Sequence, residues 1–182
     1  MKKDLALIKL AKSFIGQEII NVWYEGKLDI TEEFHSIEKA FYIETNETKV
    51  YKVCPADKLG IKWGHGIHIK EIKNWHKLSP NIDDLLNYKN IPYKGFYNSQ
   101  VVKSSIHWRY IEESVSLLWK YPPRSDYPQS LELILSDGSQ IIIEVARILP
   151  DDKIVLGTNS LVLFFDITIK DTYFRNVQKR GY

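Results

Sequence analysis

Trp63-Gly64-His65-Gly66-Ile67-His68-Ile69 is the stretch whose residue types come closest to a chemical site. Two imidazoles among glycines could ligate a metal or pass a proton, and His76 could add a ligand after a further turn. Zinc asks for three or four ligands gathered on one side of the backbone. On a regular strand His65 and His68 point to opposite faces, because side chains alternate. The glycines suit a sharp turn into a strand that starts at Gly66. The expectation is therefore structural, with no metal and no cofactor; His65, His68 and His76 form a ligand set only if Gly66 kinks the chain.

Other reactive side chains read the same way. Cys54 stands before Pro55 at a strand end, and no local signature supplies the base and activating field that a thiolate nucleophile needs. The acidic pairs Glu32-Glu33, Asp83-Asp84, Glu112-Glu113 and Asp151-Asp152 would hold a cation or do acid–base work if two of them met in a cleft. Otherwise they belong at helix starts and solvated turns. The sequence has no glycine-rich phosphate loop, no Gly-x-Ser-x-Gly, no His-Glu-x-x-His and no calcium loop. The basic tail Arg175–Arg180 reads as a solvated terminus.

Aromatic residues are different in kind. The chain carries 5 Trp and 11 Tyr, and Trp63, Trp75, Tyr88, Tyr93, Phe96, Tyr97 and Trp108 crowd its middle third. Loops seldom hold so many rings unless they cover a sheet or present a surface. Trp75, Tyr88, Tyr93, Phe96 and Tyr97, with Asp83 and Asp84 beside them, are the expected partner-binding residues.

The elements that must position these groups follow from periodicity. Leu7, Ile8, Ala11, Phe14 and Ile15 mark one stripe of an N-terminal helix, with Asp4 near its start and Gly16 at its end. Strands are expected at Gln17–Tyr24, Phe34–Thr45 (alternating from Ile37), Thr48–Cys54 and Gly66–Ile72. Ser79-Pro80 predicts a short central helix ending before Ile91-Pro92. Further strands are expected at Ser105–Tyr110, Ser114–Tyr121, Leu131–Ser136, Gln140–Ile148, Ile154–Leu156 and Leu161–Ile169. Asp137-Gly138 is expected to be a two-residue hairpin turn that suits positive backbone angles.

Phe41–Val53 can be laid over Leu133–Val145, so that Thr45 matches Asp137. With a short insertion, Ile67 and Ile69 fall on Leu161 and Leu163, His65 on Asn159 and His68 on Val162. Upstream, Ile19–Trp23 resembles Val115–Trp119. The expected architecture is α+β and β-rich: two tandem copies of a strand-plus-hairpin unit in a mostly antiparallel sheet or sandwich. The first copy covers 1–78, a helix and aromatic connection 79–103, and the second copy 104–182.

Composition bounds the function. With 25 Lys and Arg against 23 Asp and Glu, the chain lacks the basic excess of a protein built to neutralise phosphates. A single cysteine excludes an internal disulfide and a multi-cysteine zinc site. Lys9 and Lys12 interrupt the N-terminal apolar stretch, no run reaches membrane-span length, and a cytoplasmic location is expected. The Lys-, Ile- and Asn-rich composition suits a bacterial source. The reading is a non-enzymatic protein-binding protein, an inhibitor or immunity protein that neutralises a partner such as a toxin. The alternative is a small-ligand or metal-binding protein, or a hydrolase, with a pocket between the copies that uses His65, His68 or His107 and a carboxylate.

Overall fold

The computed structural model describes residues 2–56, 66–73, 85–87, 98–110 and 126–175 of the 182. These form helix α1 (Lys2–Lys12), then strands β1 (Glu18–Glu25), β2 (Leu28–Ile30), β3 (Phe34–Ile37), β4 (Ala40–Thr45), β5 (Val50–Ala56) and β6 (Gly66–Ile72). There follow β7 (Leu85–Asn87), β8 (Ser99–Tyr110), β9 (Asp126–Leu135), β10 (Gln140–Ile148), β11 (Ile154–Phe164) and helix α2 (Ile167–Arg175). The protein is β-rich, with one antiparallel sheet and a helix near each end of the described chain.

The strand order is β2-β3-β11-β10-β9-β8-β1-β4-β5-β6, and β7 pairs with β1 off this path. Two four-stranded meanders can be read from it, β1-β4-β5-β6 and β8-β9-β10-β11. They join where Glu18 pairs with Gln100 and Ile19 with Ser99. Farther along β1 the neighbour changes, and Trp23, Tyr24 and Glu25 pair with Asn87, Leu86 and Leu85 of β7. β8 thus diverges from β1, and β7 occupies the edge it leaves.

The sheet doubles back on itself, bringing β5 against β11 and β6 against β9. Alternation then places one residue in two of each meander inside. Ile43, Tyr51, Val53, Ile67 and Ile69 from one meander share a core with Leu131, Leu133, Ile141, Ile143, Leu161 and Leu163 from the other. Leu7 and Ala11 of α1, with Phe14 in the turn that follows it, close one side of that core. Gly16 ends the helix region with a positive φ of 85°, the conformation glycine adopts without a Cβ penalty.

Three hairpin loops share one construction. In the first, Thr45 N–H donates to Lys49 O at 2.9 Å and Thr48 N–H to Thr45 O at 2.9 Å. Leu135–Ser139 and Leu149–Lys153 repeat both bonds. The fourth residue of each is left-handed: Thr48 at φ 58°, Gly138 at 84° and Asp152 at 59°. This is a type I turn followed by a left-handed residue.

Several expectations change. The stretch from Phe34 to Thr45 is split at Glu38-Lys39, and β3 leaves the first meander to pair with β11, Ile37 opposite Leu161. Leu85–Asn87, within the span predicted as a central helix from Ser79-Pro80, is a strand; the rest of that span and Ser114–Tyr121 lie outside the described residues. The strand expected to Ile169 stops at Phe164. Asp166 then caps α2, its Oδ1 accepting from Thr168 N–H and Thr168 Oγ1, each at 2.6 Å.

Candidate functional site

Trp75, Tyr88, Tyr93, Phe96, Tyr97, Asp83 and Asp84 lie outside the described residues, as do His65 and His76. What is described is β7, which ties the middle of that aromatic segment to β1 beside Trp23 and Glu25. The described residues next to β7 are therefore those of β1 and the strands paired with it.

The outer face of the first meander carries a half-buried polar cluster. Tyr42 stands opposite Trp23 on one side and Lys52 on the other. The Tyr42 hydroxyl donates to Glu25 Oε2 at 2.5 Å, and Lys52 Nζ donates to the same oxygen at 2.8 Å. Lys52 also lies over the Tyr42 ring, 5.1 Å from its centroid. Burial alone would raise the Glu25 carboxyl, but the bonds from Lys52 and Tyr42 outweigh it and hold the group below its ordinary range. Burial, then the Glu25 bond, raises the Tyr42 phenol. Around the cluster Trp23, Ala40, Tyr42 and Val50 are buried, with Cys54 and Ile72 packed against them. His68 stands directly opposite Cys54, and both side chains are half-buried.

A second polar site lies beside α2. Glu33 and Asp152, from two of the acidic pairs, meet in a cleft of about 330 Å³ with Ile169, Thr172 and Tyr173. The Tyr173 hydroxyl donates to Glu33 Oε2 at 2.6 Å. Burial and this bond together push the phenol above its ordinary range. The cleft accepts hydrogen bonds and positive charge. Its acids also have structural work: Glu33 anchors α2 through Tyr173, and Asp152 is the left-handed turn residue.

Histidines are dispersed among the described elements. His107 on β8 bonds Glu132 Oε2 through Nε2 at 3.0 Å on the outer face of the second meander. His35 on β3 faces the common core, fully buried, its Nδ1 2.9 Å from the Tyr24 hydroxyl and its ring edge-on to Phe165. Burial pushes that imidazole down to about 4, so it is neutral at pH 7. Among the described residues, no group of three or more His, Cys, Asp or Glu is placed to hold a metal ion.

The two meanders share strand registers over part of their length. Glu44, Val50, Lys52 and Cys54 occupy the places of Ile134, Gln140, Ile142 and Glu144 in the hairpin registers. Cys54 pairs with His68 as Glu144 pairs with Val162, so Ile69 and Leu163 correspond as the sequence comparison expects. The hairpins themselves are offset from that comparison: Thr45 takes the place of Leu135, not of Asp137, and Thr48 that of Gly138. Asn46 N–H donates to Glu18 O at 2.9 Å, and Ser136 N–H to Gln100 O at 2.8 Å. Glu18 N–H in return reaches Asn46 Oδ1 at 3.1 Å, and Gln100 N–H reaches Ser136 Oγ at 3.3 Å. Even the Tyr42–Glu25 bond has its counterpart in Glu132–His107.

Comparison of the chain with protein-family models, with curated proteins and with solved structures gave no match. Among the described residues no helix is long and apolar enough to cross a membrane.

Proposed function

We propose that this is a non-enzymatic protein-binding protein, an inhibitor or immunity protein that neutralises a toxin-like partner by occupying its surface. The supporting observation is the position of β7, which joins the aromatic segment Trp75–Tyr97 to β1 next to Trp23 and the Glu25–Tyr42–Lys52 cluster. Half-exposed charges of both signs beside an aromatic-rich segment suit recognition of a protein surface. Among the described residues the two meanders share an apolar core, which favours this reading over a ligand or hydrolase pocket between copies. The matched turns and registers also favour descent of the two meanders from one duplicated unit.

The test is co-purification from the native cell, comparing the parent chain with a variant carrying alanine at Trp75, Tyr88, Tyr93, Phe96 and Tyr97. A stoichiometric protein partner held by the parent and lost by a folded variant supports the reading. Equal retention by both places the binding surface elsewhere, and bound metal without a partner favours the ligand alternative.

A further inference from the structure

Beneath α2, the outer face of β9 and β10 buries more hydrogen-bonding capacity than the described residues satisfy. Ser130 and Glu144 stand directly opposite each other, and both are withdrawn from solvent. Gln129, also buried, turns its amide to the same place: Nε2 donates to Glu144 Oε2 at 3.3 Å and to the Val145 carbonyl at 2.9 Å. From α2, Lys170 Nζ comes down to 2.7 Å from Glu144 Oε1. With these contacts made, Ser130 Oγ and Gln129 Oε1 stay buried with no hydrogen-bond partner among the described residues. Dry oxygens of this kind are costly, and beside a buried charge more so.

Geometry brings them to one small space. Opposed side chains on paired strands have Cβ atoms about 4.5–5.5 Å apart, and Gln129 Oε1 shares its carbon with the nitrogen that touches Glu144. The chemistry then selects the occupant. Gln129 Oε1 and the carboxylate only accept, the serine hydroxyl donates or accepts, and the ammonium only donates. Glu144 repels an anion and Lys170 repels a cation, which leaves a small neutral molecule that both donates and accepts. Ser130 has His107 as its other cross-strand neighbour, and the His107 side chain is 51% exposed, so the buried seam lies one residue from solvent.

We propose that Gln129, Ser130, Glu144 and Lys170 form an internal water site. One water donates to Gln129 Oε1 and to the carboxylate, accepts from Ser130 Oγ or Lys170, and solvates the ion pair that fastens α2. Its partner number matches that of buried waters generally. This inference is independent of the proposed partner.

A crystal structure at a resolution that resolves ordered solvent should show one water within hydrogen-bond reach of Gln129 Oε1 and Ser130 Oγ. A dry site, with the hydroxyl turned onto a backbone carbonyl, or a different species in the density, overturns the proposal. In solution, oxygen-17 relaxation dispersion should count one fewer long-lived water in the Gln129→Leu/Ser130→Ala double variant. Ser130→Ala alone serves if the double variant does not fold, and an unchanged count in a folded variant overturns the proposal.

Discussion

The outer face of β10 and β11 is covered by α2, whereas the matching face of β1-β4-β5-β6 carries the Glu25–Tyr42–Lys52 cluster. On the first of these, Tyr173 is buried with Phe34, Ile142, Val162 and Phe164, and the ion pair beneath the helix is almost dry, Glu144 being 1% and Lys170 15% exposed. On the other, Lys52 and Glu25 keep 29% and 26% of their side-chain surface. Equal strand registers thus carry unequal electrostatics. A charge under a helix must keep its partner, while a charge at a half-open face can exchange its partner for water or for another protein.

The largest expected effect tests that contrast directly. Lys170→Met should strand the Glu144 carboxylate and cost about 3–5 kcal/mol in urea unfolding. Glu144→Leu with Lys170→Met should recover most of that loss. Next comes His35, which belongs to the core both faces share. Its folded value is depressed to about 4 against about 6.5 in the unfolded chain, so between these values the unfolded state binds the extra proton. Stability is therefore full above the unfolded value and falls as pH drops towards the folded one, by up to about 3 kcal/mol. A His35→Gln variant that folds and keeps the same slope over that window would assign the effect to other groups.

Smaller changes sharpen the comparison. Removing the α2 cap by Asp166→Ala should cost about 1 kcal/mol, read as a lowered unfolding midpoint. The two matched turns should respond with opposite signs: Thr48→Gly relieves a left-handed threonine, and Gly138→Thr creates one, each by about 1 kcal/mol. A Cβ at Gly138 meets nothing within 4 Å, so the cost there is backbone strain alone. Least affected is the first face itself, where Lys52→Met should change stability by less than about 1 kcal/mol and, if the proposed function holds, weaken partner binding instead.

Local patterns made much of this fold legible. Asp137-Gly138 marked one hairpin, although its loop runs from Ser136 to Gly138 and only Gly138 is left-handed, and β6 and β10 run between the expected residues. The hairpin of β4 and β5 is offset from the sequence alignment because Thr48, and not a glycine, takes the left-handed position; no residue type announces it. α2 was hidden by the β-branched run Ile167-Thr168-Ile169, although Asp166 followed by Thr168 was the available capping signal. For the sites, the sequence identified the acidic pairs but could not say which would meet. Glu33 and Asp152 are brought together by α2 and a distant turn. The Lys52–Glu25 and Lys170–Glu144 contacts likewise join strands and helices far apart in the chain, information that periodicity does not carry.

The pairing of β3 with β11 also bears on how the protein is made. Ile37 leaves the ribosome long before Leu161, its partner, so the β3 edge stays open through most of synthesis. An open edge is a template for pairing with another chain, and non-local closure is slow. The four-residue length of β3 limits that exposure, and the β2–β3 hairpin can form at once. The nascent chain is thus guarded on one edge of β3 until the last strand arrives to cover the other.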